Sequence, residues 1–102
     1  MEYIGVYEIT RKMHSRPCSE VISTIGALKR NPGEVEINLD HPQTGEKLDY
    51  KSLINLLSSG CLFHKGERIR VVVRGEYSQK TLQECANRVG EVFSLDSKLP
   101  RN

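Results

Sequence analysis

Between Ile9 and Pro17 the spacing of apolar residues changes from two to three-and-four, which limits the chain to a fold that alternates strands with helices. Before the change, Tyr3 to Ile9 has the β-branched and aromatic content of a strand, with Ile4 and Val6 two positions apart. After it, Cys18, Val21, Ile22, Ile25 and Leu28 recur at helical steps and form an amphipathic stripe. Pro17 suits the first turn of that helix, where a missing N–H costs nothing. A helix N-terminus leaves N–H groups unpaired and carries a partial positive charge, so it attracts anions. His14 supplies a nitrogen nucleophile at this junction, and Arg16 a fork of donors matched to phosphate oxygens. Together they favour a phosphoryl group held covalently on His14. The same residues also fit a solvated loop histidine before an ordinary Arg-Pro helix entrance, so the local pattern leaves both readings open.

The same test of period orders the rest of the chain. The first helix is expected from Pro17 to about Lys29, ended by the stop signal Asn31-Pro32-Gly33. Glu34 to Asp40 alternates cleanly, with Val35, Ile37 and Leu39 inward. His41-Pro42-Gln43-Thr44-Gly45 is turn chemistry, and Glu46 to Tyr50 is expected to return as the second strand of a hairpin. Ser52 stands as a candidate N-cap for a short apolar helix with Leu53, Ile54, Leu56 and Leu57, ended near Ser59-Gly60. His64 to Glu67 reads as a turn, and Arg68 to Arg74 as the strongest strand. Ser78 can cap a last helix whose inner face is Leu82, Cys85, Ala86, Val89 and Phe93. The order is βαββαβα, an α+β fold: a four-stranded, largely antiparallel sheet with helices on one face, in two layers. The short helix is apolar for its size, so part of it is a candidate docking surface, while Leu53 and Leu57 are explained by core coverage.

At 102 residues the chain fits one domain, expected over 1–95 with 96–102 as a loose tail. The 15 basic residues are spread along the chain, the net charge is only +2, and no Lys/Arg run or RNA-binding aromatic signature appears. Arg68, Arg70 and Arg74 would give a nucleic-acid reading its only basic face, and an exposed strand face explains them equally well. No apolar stretch approaches a membrane span, and the first residues have neither a basic region nor a signal-like apolar core, so a cytoplasmic protein is expected. Cys18, Cys61 and Cys85 are odd in number and widely spaced, which argues against a disulfide framework. Cys61 and His64 lack the second pair that a metal site needs, so no metal or cofactor is expected. No second acid/base motif completes an independent active site, so a self-sufficient enzyme is not expected.

Three motifs in order carry a family resemblance. Lys12-Met13-His14-Ser15-Arg16-Pro17-Cys18 resembles Gly-Leu-His-Ala-Arg-Pro-Ala, the active-site pattern of HPr, the histidine-containing phosphocarrier of the bacterial sugar phosphotransferase system. Lys51-Ser52-Leu53-Ile54 is similar to that family's Lys-Ser-Ile-Met regulatory segment. Lys65-Gly66-Glu67-Arg68-Ile69-Arg70-Val71 is similar to the segment entering its last strand. The resemblance spans about residues 2 to 95 and implies an HPr-like open-faced two-layer sandwich.

It also implies that His14 accepts, on Nδ1, a phosphoryl group derived from phosphoenolpyruvate through Enzyme I and passes it to IIA-type acceptors. Arg16 would stabilise the phosphate, with Ser15, Cys18 and Lys12 as further anion contacts. Met13, Leu53, Ile54 and Leu56 would dock partners. Ser52 matches a serine that a dedicated HPr kinase/phosphorylase modifies in many relatives, which implies a regulatory branch with a transcriptional regulator as a further partner. The chain is expected to act as a monomer. Three departures bear on partner identity: Lys12 replaces the family's glycine, Asn55 replaces a small residue, and the turn from His41 is longer. The alternative reading is a non-carrier paralogue of the same fold, switched by phosphorylation at Ser52.

Overall fold

The computed structural model describes residues 1–58 and 63–94, the side chains of Ser15, Leu57 and Ser58 excepted. Its elements are β1 (Glu2–Glu8), α1 (Ser15–Leu28), β2 (Glu36–Asp40), β3 (Lys47–Leu48), α2 (Tyr50–Ser58), β4 (Arg68–Arg74) and α3 (Gln79–Val92). The four strands form one antiparallel sheet in the order β1-β4-β2-β3. The architecture is α+β, a four-stranded antiparallel open sheet with three helices, consistent with an HPr-like open-faced sandwich. β4 lies in the middle because both its phases are apolar: Ile69, Val71 and Val73 are buried on one face, and Val72 on the other.

The helices cover one face of the sheet. Val21, Ile25 and Leu28 of α1, Leu53 of α2, and Leu82, Ala86 and Val89 of α3 join Ile37, Leu39, Val71 and Val73 in one core. Each such side chain removed from water contributes roughly 1.5–3 kcal/mol before conformational entropy is counted. The stripes of α1 and α3 hold as expected, except that Ile22 is only half-buried; in α2 Leu53 is buried, and the expected core role of Leu57 lies outside the described residues. Lys29 ends α1, and a π-type turn over Lys29–Gly33 leads to β2; the Tyr77 hydroxyl fastens it by sharing its one proton between the carbonyls of Pro32 and Gly33, at 2.9 and 2.8 Å.

β1 packs by the opposite phase from the one its aliphatic residues mark. Ile4 and Val6 face solvent at 46% and 57% exposure, while Gly5 and Ile9 are buried. Tyr7 is the reason: its ring fills the space that a Cβ on Gly5 of β1 or Gly90 of α3 would need. Its hydroxyl donates to Asn87 Oδ1 at 2.6 Å, and burial, helped by nearby Tyr3, pushes its pKa up to about 12.

On the open face the arginines of β4 stand between carboxylates. Arg74 lies between Glu2 and Glu36, Arg70 pairs across to Asp40, and Arg68 sits opposite Glu8. Arg74–Glu2 and Arg70–Asp40 are ion pairs at 3.6 Å. Arg68, Arg70 and Arg74 therefore do not form the unopposed basic stripe that a nucleic-acid surface needs.

Several boundaries differ from expectation: α1 begins at Ser15, two residues before Pro17, and β2 begins at Glu36 because Glu34 is left-handed at φ 53°. The returning strand is two residues long, not five, and Tyr50 opens α2 instead of closing β3. Asp49 causes this, because its Oδ1 accepts the Ser52 N–H at 2.8 Å and so starts a helix there. Ser52 is thus not the N-cap; it sits in the first turn, capped by Asp49. The expected helix end at Ser59-Gly60, Cys61, and the tail from 96 lie outside the described residues. No described helix is long and apolar enough to cross a membrane.

Candidate functional site

The segment that carries His14 is fixed at one end of the sheet by hydrogen bonds from the two residues after β1. Ile9 N–H donates to Glu67 O at 2.8 Å, and Ile9 O accepts from Gly66 at 2.7 Å. Thr10 N–H then donates to Phe93 O, just past α3, at 2.9 Å. Met13 packs half-buried against the core, and the chain turns into α1 at Ser15. His14 itself is the N-cap residue, extended at φ −105° and ψ −164°. The side chains of Lys12, His14 and Arg16 are all exposed.

The helix N-terminus at His14 is left open. No side chain caps α1, and no acidic residue lies in its first turn. Pro17 has no N–H, and the Cys18 N–H is already committed to His14 O at 3.1 Å, so the amides of Ser15 and Arg16 are the ones that lack an intrahelical acceptor. By contrast, α2 is capped by Asp49, and α3 by Ser78, whose Oγ accepts from Thr81 N–H at 3.2 Å.

The three histidines differ in the same way. His41 is buried, and its Nδ1 accepts the N–H groups of Gln43 and Thr44 at 3.1 and 3.4 Å, so it builds the turn after β2. His64 Nδ1 lies 3.6 Å from Glu67 and 3.5 Å from the Gln43 amide. Glu67 is partly buried, which alone would raise its carboxyl; donation from Gln43 and His64 outweighs this and lowers it. Among the described residues, His14 alone has a ring with no such partner, and its side chain is exposed.

The remaining expected residues divide. Arg16 has no ion pair among the described residues, and Lys12 none either, so both cations are available to an anion at His14. The Cys18 thiol is buried in the core and its amide is engaged, so Cys18 is not placed as an anion contact. The Ser15 side chain lies outside the described part. Of the expected docking residues, Ile54 is exposed and Met13 and Leu56 are half-buried, whereas Leu53 is fully buried and belongs to the core. Ser52 donates through both its amide and its hydroxyl to Asp49; these bonds, with Lys51 beside them, hold the Asp49 carboxyl below the usual range. A phosphate on Ser52 would lose the hydroxyl donor and meet the Asp49 carboxylate instead, which weakens the case for Ser52 as a switch.

No sequence motif singles out Arg11, yet it is tied into this region. Its Nη1 lies 3.2 Å from Glu20 Oε1 and 3.1 Å from Val92 O, and its side chain is 14% exposed. These partners are 9 and 81 positions away, so no local spacing signals them. A scan against protein-family models finds no match, and no curated protein matches the chain.

Proposed function

We propose that the protein is a phosphoryl carrier that works through His14. The reading is supported above all by one observation: of the three described helix N-termini, the one left without a side-chain cap is the one where a histidine stands that has no partner among the described residues, with an arginine likewise unpaired two residues on. In the proposed step, a lone pair of the neutral imidazole attacks the phosphorus of a donor phosphohistidine on Enzyme I. One N–P bond forms as the donor's N–P bond breaks, and the other ring nitrogen of His14 keeps its proton. The reverse step hands the group to an IIA-type acceptor. No water takes part, and no net proton is gained.

The environment suits a temporary holder. Exposed Arg16 would contribute only ~0.2–1 kcal/mol to a phosphate, and the helix terminus ~0.3–1 kcal/mol. Such modest terms help the group to arrive without trapping it, which a buried bidentate pair would do. Exposed Ile54 with half-buried Leu56 fits a small transient contact surface.

The test is incubation with Enzyme I and phosphoenolpyruvate, beside a His14→Ala variant. An acid-labile phosphoryl adduct on the wild type and none on the variant is expected. No adduct, with an Enzyme I that labels its own carrier, rejects the reading; Ser52 with an HPr-type kinase then becomes the next candidate.

A further inference from the structure

We propose that Arg11 is a positioning residue for His14, which deepens the carrier reading and rests on it for its kinetic part. The Arg11 guanidinium reaches two elements at once, Glu20 in the second turn of α1 and the Val92 carbonyl in the last turn of α3. The Glu20 contact closes the chain from residue 11 to residue 20 into a ring that contains His14. The segment before His14 and the helix after it are thereby held against each other. The Val92 contact fastens that ring to α3, which has no basic residue of its own in its last turn. A cation there also complements the partial negative charge of the helix C-terminus.

The Thr10 amide also ties the segment to Phe93 O past α3, but of the described residues only Arg11 joins it to α1 as well. Among the described residues, Lys12 and Met13 make no hydrogen bond, and the half-buried Met13 side chain packs without a directional contact. Between the last directional anchor at Arg11 and the helix there are three residues, Lys12, Met13 and His14. The two arginines divide the labour: Arg11 is screened and neutralised by Glu20, and Arg16 stays exposed for the incoming anion. Arg11 orients the acceptor without touching the phosphoryl group.

The test compares wild type, Arg11→Met and Arg11→Lys by three readouts below the melting range. These are the NMR order parameter of the His14 amide in the free protein, the rate of His14 phosphorylation by Enzyme I, and the rate with phosphoramidate, a small donor that needs no docked geometry. In Arg11→Met the order parameter is expected to fall from the rigid value of about 0.85 toward 0.6. Enzyme I should label that variant about 10- to 100-fold more slowly, as a displaced reacting group does, while phosphoramidate labels it at nearly the wild-type rate. Arg11→Lys, which keeps the cation but not the fork, should recover part of both losses. A lower melting temperature with unchanged order and unchanged Enzyme I rate overturns the proposal. A wild type that Enzyme I leaves unlabelled overturns the carrier reading instead, and positioning then stands or falls on the order parameter.

Discussion

α1 and α3 are each 14 residues long and each bury an apolar stripe against the same sheet, yet they begin differently. α3 starts with Ser78, whose hydroxyl takes the Thr81 amide, so that end is complete within the fold. α1 starts with His14, which caps nothing, so the Ser15 and Arg16 amides have no acceptor within the helix. A cap is worth ~0.5–2 kcal/mol, a sizeable share of a small domain's stability, and many residue types could have supplied one at position 14. The difference teaches that stability is forgone at one helix end, where an anion could use it. A stability–function exchange of this kind is common at functional sites.

The largest effect should come from the residue that makes the two ends differ. His14→Ala is expected to abolish phosphoryl labelling while moving stability by less than ~0.5 kcal/mol, as for an exposed side chain without bonds; denaturant midpoints and labelling read the two separately. Arg16→Ala should slow labelling by about 2- to 5-fold, the kinetic equivalent of an exposed cation's modest contribution, with the melting curve unchanged. At the completed end the pattern reverses. Ser78→Ala should cost about 1 kcal/mol, a fall in melting temperature of roughly 4–8 °C, with labelling intact. Placing a cap where none exists should do the opposite: His14→Asp is expected to raise stability by ~0.5–1 kcal/mol and end labelling. A loss of stability in that variant would break the comparison.

The smallest effect separates α2 from α3 by pH. Asp49 has a carboxyl lowered in the fold by its bonds to Ser52, so its contribution is present above the ordinary carboxylate range and lost as pH falls through the lowered value. The Ser52 amide resonance should titrate in that acid range, and Asp49→Asn should flatten it. The Thr81 amide on the hydroxyl cap should not change with it.

Much of this arrangement is legible in the residues. Arg68–Arg74 has the limits its apolar run implies, and Ser78 caps α3 as its place before the helical stripe suggests. His14 reads as a junction residue because the hydrophobic period changes around it. β1 is less legible: both of its phases carry apolar residues, and Tyr7 against Gly90, 83 positions away by number, decides which faces inward. Asp49 is hidden because a short strand and a helix cap compete for the same few residues. Arg11 is invisible because its partners meet it only after the sheet has formed.

The most direct test of the open helix end is a pair of amide ¹H–¹⁵N spectra, recorded before and after His14 is phosphorylated. The account expects the Ser15 and Arg16 amides to move most, and downfield, as they begin to donate to phosphoryl oxygens, with Ser52 and Thr81 unmoved. Unmoved Ser15 and Arg16 amides in a protein shown to carry the group on His14 would contradict it.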